Sequence, residues 1–557
     1  MADFGYGKRT IQWEDSVVQH DLEAFPDLEL VQYDGNMVRA YEDRPRSIYA
    51  LFERAVSQAP DREFVVFPDQ NKRYTYREFK QRVEQVAAGL QANGVDPGDR
   101  ISIILPNCPQ FVEVFFAAAR IGAIVMPLNV RHTTGEFEHI LTDSEPAVVV
   151  VAEQYLDTLE ESSYTLSTEA TFVVGDTEMY QPFDTLESDH PVDTVGPEEN
   201  DEFCVLYTSG TTGLPKGVPG DHFHLVNGGL NNAACFGLKD GTRGLFPTPL
   251  FHVMALVSGL ISVLAVAGTG IFPTGFSPES FLQLMEDERP SYVMAVPTNY
   301  ILALEKCDVS AYNTASVDTF AYGGAPMPTD AIERLQDAFP GVSLCNSYGK
   351  TESVSGLAAM LPDQYTTDNP DAVGIPTPVM RFMIVDESGE PLPPGEEGEL
   401  VMAGPIIVNG YQNRPAETDA VFDNGWHHTG DICTVDENGI IRLLGRKKDM
   451  IIRGGENIYP SEVEEVLNQD DDIVEAAVTN FPDDVLGERV LAAVVPSSGA
   501  RVTEDDLEAL CRSELADYKV PDIFRILDEL PRTAAGTVDK EAILPTPLQM
   551  GIKAGSS

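Results

Sequence analysis

Cations are what this chain lacks. Lys and Arg together number 37 in 557 residues, against 89 Asp and Glu, for a formal net charge of −52. So little positive charge makes nucleic acid and anionic membranes poor partners. The acids are dispersed, and their densest runs (Glu198–Glu202, Asp470–Asp472, Glu504–Glu508) are short. They describe a solvated anionic surface rather than an acidic tail. A halophilic, high-salt cytoplasm, where screening makes such self-repulsion tolerable, explains this better than a merely acidic cytosolic protein. The carboxylates then report habitat, not mechanism.

Other absences narrow the class further. The seven cysteines are scattered, with no CxxC pair. That excludes a disulfide framework and a zinc ribbon, and fits a reducing cytoplasm. The start, MADFGYGKRT, has no basic-then-apolar secretory pattern. One run, residues 250–272, is long enough to span a membrane, but it holds His252 and several Gly and Ser and has no flanking basic cluster. It is read as a buried helix and strand. Internal repeats and low-complexity tracts are also missing. Length alone suggests about two to four domains, and a 43% apolar fraction suffices for full packing.

What is present is α/β in texture. Between residues 46 and 150, amphipathic helices (82–95, 111–123) alternate with apolar strands (RISIILP, AIVMPL, AVVVVA). Repeated βα units imply a mostly parallel sheet covered on both faces. The pattern resumes from 260 to about 324, with a helix at 298–306. From about 373, short strands and turns suggest an antiparallel β unit, and an α+β segment begins near 446. Residues 1–45 read as an N-terminal extension or cap.

Residues 207–218 read YTSGTTGLPKGV. Gly210, Gly213 and Gly217 permit backbone conformations closed to other residues, so successive N–H groups can form an anion-binding nest. Thr208, Ser209, Thr211 and Thr212 add hydroxyl donors, and Lys216 adds a compact charge. The strand-like EFCVLY precedes the loop, and α/β proteins place ligands at strand ends. Pro215 and Gly217 flank the lysine, so this is not the GxxxxGK[ST] loop. On the residues alone, a polyphosphate cradle and an ordinary surface loop stand about even.

The loop resembles the signature of the adenylate-forming superfamily, which includes acyl-CoA synthetases. PLFHV (249–253), YGGAP (322–326), YGKTE (348–352), GWHHTGD (425–431), GRKKDMIIRGGENIYPSEVE (445–464) and LPRTAAG (530–536) stand in that family's order and spacing. The resemblance runs from about 46 to 545. It implies a large N-terminal domain of stacked mixed βα sheets plus a β unit (46–445). A small mobile α+β domain (446–557) would follow a hinge at Lys448. It also implies two steps: a carboxylate attacks the α-phosphate of ATP to give an acyl-adenylate, and a thiol, usually that of CoA, displaces AMP.

Site roles follow by resemblance. Glu352 is a hard oxygen ligand suited to Mg2+, assisted by Thr208, and Thr351 donates to the α-phosphate. Tyr348 offers a flat face to adenine. Gly324, Ala325 and Pro326 flank its other side, with Asn346, Ser347 and Gly349 beside it. Asp431 suits the ribose diol, and Arg446 is its neighbour on ribose and phosphate. His252 is a gate near the substrate carboxylate, or equally a satisfied core histidine. Val253, Met254, Asn299, Tyr322 and Gly323 join it in an acyl pocket. Gly454 and Gly455 would admit the pantetheine arm, with Lys447, Arg453 and Lys519 as cations for CoA.

One position departs from the pattern. The motif's catalytic lysine position is held by Thr537, and Lys540 is not a shifted copy. Adenylation is therefore expected to be impaired while thioester formation is kept, unless another cation such as Lys350 substitutes. The leading expectation is a cytoplasmic acyl-CoA ligase for a medium- or long-chain fatty acid or an arylalkanoate. Its rivals are a free-standing enzyme that loads a carrier protein and a non-catalytic adenylate- or CoA-binding protein. No carrier serine motif follows 545, which disfavours a fused module. A homodimer is left open.

Overall fold

The computed structural model describes residues 26–192, 196–208, 214–366, 369, 372–454, 456–470, 472–483, 485–497, 499–532, 538–540 and 542–544, and the short strands Phe4–Tyr6 and Arg9–Ile11. Its architecture is mixed α/β, with a large sheet-rich N-terminal part and a smaller C-terminal one. Two sheets build the large part. The first has seven strands, ordered Gln181–Pro182, Thr171–Val174, Val148–Ala152, Arg100–Ile104, Ile124–Pro127, Glu202–Thr208 and Lys216–Asp221. All pair in parallel except the last two, which form an antiparallel pair.

The apolar strands sit here because both faces are covered. Ile101 and Ile103 face a core built by Phe111, Phe115, Phe116 and Val83, while Ile104 and Met126 face Phe137 and Ile140. The helix Tyr76–Ala92 starts on a Thr75–Glu78 capping box. Its chain turns at Gly94, whose φ of +84° favours glycine.

The second sheet has fourteen strands. Its parallel half includes Tyr292–Ala295, Thr319–Gly323 and Ser343–Tyr348. Ser343–Tyr348 then pairs antiparallel with Ala359–Leu361, which pairs with Ala372–Pro376 and so joins Ile441–Arg446, Trp426–Val435 and Gly398–Ala403. The expected β unit is thus a continuation of this sheet. The apolar run 250–272 is a buried π-helical stretch Met254–Ile261, an α-turn Ser262–Ala265 and the strand Thr269–Ile271. No helix among the described residues is long and apolar enough to cross a membrane.

The hairpin of Leu28–Tyr33 and Asn36–Tyr41 docks on the helix His222–Cys235. Tyr33 stacks on Phe223 at 4.5 Å, its hydroxyl donates to Asp221, and Arg44 bridges Glu29 and Glu199. The C-terminal part is a five-stranded sheet whose long hairpin, Ile473–Asp483 and Gly487–Pro496, is covered by helices Pro460–Asn468 and Glu504–Glu514. It meets the large sheet through Tyr459 to Glu397 (3.1 Å) and Lys447 to Glu399 (3.2 Å).

Candidate active site

The loop of interest joins two antiparallel strands, not a strand and a helix. Thr208 ends one, Lys216 begins the other, and the two are register partners. Ser209, Gly210, Thr211, Thr212 and Gly213 lie outside the described residues. The base of the hairpin is held from two directions: Gln412 N donates to Gly217 O (2.8 Å), and His139 Nε2 donates to Pro215 O (3.1 Å). The Lys216 ammonium lies 5.0 Å from the ring centre of Tyr411.

The YGKTE segment leaves the C-terminal end of Ser343–Tyr348, on the second sheet. Thr351, Glu352 and Ser353 form one 3₁₀ turn. It is followed by Val354 at φ +35°, a left-handed conformation that a β-branched residue rarely adopts. The Glu352 carboxylate accepts from Tyr411 Oη at 2.7 Å. Burial pushes this carboxyl up, while charge on His427 and Lys350 and the Tyr411 hydroxyl draw it down, and the downward causes prevail. His427 is itself driven by burial to about 4. At neutral pH, therefore, Lys350 and Tyr411 keep Glu352 ionised.

Asp431, 3% exposed, is the hub of the opposite wall. Tyr348 Oη donates to it at 2.5 Å, Lys350 Nζ lies at 3.4 Å and Arg446 Nε at 3.7 Å. Sheet register sets the last pairing, since Asp431 and Arg446 are cross-strand partners. Lys350 also donates to Thr429 O at 2.5 Å. Asn346 donates to Ala372 O at 2.9 Å, and Ser347 donates to Tyr322 O at the same distance. Gly324, Ala325 and Pro326 are exposed along the rim. Gly349 runs so close to the returning chain that a Cβ there would lie 2.4 Å from the Gly356 carbonyl carbon.

Val253 and Met254 converge on the same place. A Cβ on Gly324 would stand 3.6 Å from Met254 Cε, and one on Gly356 would stand 3.6 Å from Val253 Cγ1. His252 precedes them; burial, then Arg131 and His132, lower it to about 4.

Tyr322 is a correction. Strand alternation places it with Phe320 and Tyr300 in the core on the far face of the sheet, while Ala321 takes the near face. Its side chain therefore does not join Met254, and Gly323 meets Ser347 instead. Asn299 lies on the first turn of Pro297–Lys306, partly exposed. Lys519 is taken by Glu462, and Arg453 by Asp522 at 2.7 Å, so neither projects as an unengaged cation. Gly454, at φ +62°, donates its N–H to Leu486 O. Lys448 is exposed beside Arg446. Gly455 and Thr537 lie outside the described residues.

Sequence reasoning missed Tyr411 and His427. Both stand among loop or strand residues with no periodic signal. His427 is 2% exposed, stacks on Phe422 at 4.8 Å and has an Nδ1 without a partner among the described residues.

Fold and site together are those of an enzyme that activates an acid with a nucleotide, an AMP-forming acid–thiol ligase by class. Residues 52–412 match the family model of the AMP-binding enzymes, and residues 462–537 match that of the AMP-binding enzyme C-terminal domain. The chain belongs to the AMP-binding enzyme family, within the adenylate-forming superfamily. It is 37% identical over 469 residues to a feruloyl-CoA synthase of Amycolatopsis sp, covering 84% of this chain and 92% of that one. It is 30% identical to a long-chain-fatty-acid–CoA ligase of Bacillus subtilis (strain 168), covering 92% and 97%. The o-succinylbenzoate CoA synthetase of Bacillus subtilis, solved with its acyl-adenylate, superposes with a TM-score of 0.78 at 27% identity, covering 89% and 98%.

Proposed function

We propose that this chain joins an apolar carboxylic acid to CoA through an acyl-adenylate, releasing AMP and pyrophosphate. The observation that carries this reading is a chain of contacts through the three motifs: the Tyr411 ring lies 5.0 Å from the Lys216 ammonium, its hydroxyl donates to Glu352 at 2.7 Å, and Lys350, two residues before Glu352, stands 3.4 Å from Asp431. Asp431 and Arg446 would hold the ribose, with Tyr348 against the adenine. Lys216 and Thr351 would orient the phosphates, Lys216 steadying the departing pair.

Mg2+ fits this donor set. Glu352 is an ionised hard oxygen ligand, and the described residues contain no group of three His, Cys, Asp or Glu able to cage a metal. Mg2+ of ATP sites is held by one or two carboxylates plus substrate phosphates, which is what a lone Glu352 offers. When bound, it neutralises phosphate charge and polarises the reacting phosphoryl group.

The acid is a medium- to long-chain fatty acid, or an aryl-substituted acid, either an arylalkanoate or an unsaturated arylalkenoate of the cinnamate type. Val253 and Met254 against Gly324 and Gly356 form an apolar wall, and the likeness to a feruloyl-CoA synthase supports the aryl alternative. His252, largely neutral above its low pKa, would stand beside the entering carboxylate as its gate. The test is a panel of fatty, cinnamic and short acids with ATP, Mg2+ and CoA, scored for AMP and thioester. Absence of AMP from every acid, even in Thr537→Lys, would remove the proposal. AMP release that required a carrier protein rather than CoA would replace the acceptor.

A further inference from the structure

We infer that Tyr411 is the positioning residue that joins the two halves of the phosphate site, holding Glu352 with its hydroxyl and Lys216 with its ring. The inference rests on the nucleotide reading given above. Tyr411 touches both the lysine that begins a strand of the first sheet and the carboxylate that follows a strand of the second: 2.7 Å from Oη to Glu352 Oε1, and 5.0 Å from the ring centre to Lys216 Nζ.

The loop that carries Tyr411 is fixed along its length. His224 Nε2 donates to Ile407 O at 3.0 Å, and Val408 N donates to Glu352 O at 3.0 Å. Tyr411 N donates to Thr418 Oγ1 at 2.9 Å, and Gln412 N donates to Gly217 O at 2.8 Å. Gln412 Nε2 reaches Tyr207 Oη at 3.3 Å. The ring is steadied edge-on by Phe422 at 5.6 Å. The phenol is thus aimed by backbone contacts to the Lys216 hairpin on one side and to the Glu352 turn on the other.

The chemistry of each contact is distinct. Burial, reinforced by Glu352, drives the phenol well above its ordinary range, so it stays a neutral donor at any working pH. A carboxylate that accepts one fixed hydrogen bond has lost a rotational freedom. Its outward oxygen is presented to the phosphates in a set direction without waiting for ligand. The ring face attracts the ammonium and keeps it from folding onto neighbouring acids. In a chain of net charge −52, misdirection of a lone lysine is a real hazard.

Removing only the hydroxyl separates the two contacts. ATP binding to the full chain, measured by calorimetry with Mg2+ and again with chelator, reads them independently of turnover. In Tyr411→Phe the gain in ATP affinity conferred by Mg2+ falls about tenfold, as expected for a hydrogen bond to a charged group, while metal-free affinity is unchanged. In Tyr411→Leu both fall. Glu352→Gln abolishes the gain, and adding Tyr411→Phe to it changes nothing further, since the pair acts as one unit. A Tyr411→Phe chain with an undiminished gain, or one that loses affinity equally with and without metal, overturns the inference while leaving the ATP reading standing. Absence of ATP binding in the unsubstituted chain overturns both.

Discussion

The Tyr348 hydroxyl donates to the Asp431 carboxylate across 2.5 Å, joining a parallel strand to an antiparallel strand of one sheet. The residue assigned to adenine thereby fixes the residue assigned to ribose. Tyr348→Phe keeps the flat face and removes the link. KM for ATP should rise about tenfold with kcat little changed, since a lost hydrogen bond to a buried carboxylate is worth roughly 1.5–3 kcal/mol. Steady-state kinetics with ATP as the varied substrate checks this. A fall in kcat at constant KM would show that Asp431 is positioned by other means.

The Met254 methyl stands 3.6 Å from where a Cβ on Gly324 would lie, so it borders the open side of that turn. Met254→Trp should therefore raise KM for cinnamic and long-chain acids at least about tenfold, while acetate-dependent ATP–pyrophosphate exchange stays near its starting rate. Equal losses for short and bulky acids would place Met254 outside the acyl wall.

Two buried histidines set an acid limit on stability. His222 and His427, 1% and 2% exposed, are each driven by burial to about 4. Folded, they stay neutral, while the unfolded chain takes up protons below about 6.5. Their stabilising contribution is full above that pH and is lost as pH falls toward 4, at about 1.4 kcal/mol per pH unit for each. Urea unfolding from pH 7 to 4.5 measures the slope, and His222→Asn should make it shallower. A slope that His222→Asn does not alter would refute the assignment.

Thr537→Lys tests the departure in the C-terminal motif. Restoring a cation where negative charge develops should raise carboxylate-dependent ATP–pyrophosphate exchange by about 10²–10³. Should exchange be unchanged, Lys350, already seated between Thr429 O and Asp431, becomes the cation to remove next.

Salt dependence tests the reading of the surface. Excess acids repel one another, and the Debye length shrinks from about 10 Å at 0.1 M to about 3 Å at 1 M. Melting temperature should climb steadily with KCl over that range. A flat or falling curve would argue against a high-salt habitat.

The alternation of apolar strands with helices was legible because a strand buried on both faces reads as a short continuous apolar run: Arg100–Ile104 and Val148–Ala152 lie on such runs, and the helix Pro109–Ile121 overlaps the 111–123 expected between them. Tyr322 was misassigned because a motif names neighbours but not faces, and alternation along the strand decides which side chain sees the cleft. Tyr411 was invisible for another reason. It touches a carboxylate 59 positions away, and nothing local in YQNRP requires that contact. The π-helical turn at Met254 was equally hidden, since its apolar residues satisfy an α-helix as well.

That wide turn decides where the pocket is sensitive to chain length. A π-helical stretch carries more residues per turn than an α-helix. Removing one residue between Met254 and Ile261 lets the segment close to α-spacing with its two ends near their present relative rotation, because the wide turn already holds the extra residue. Val253 and Met254 would keep facing Gly324 and Gly356, whereas a deletion in the α-turn Ser262–Ala265, which has no extra residue to give up, would turn them by about 100°. The apolar wall thus tolerates a shortened chain inside the wide turn and not one turn later.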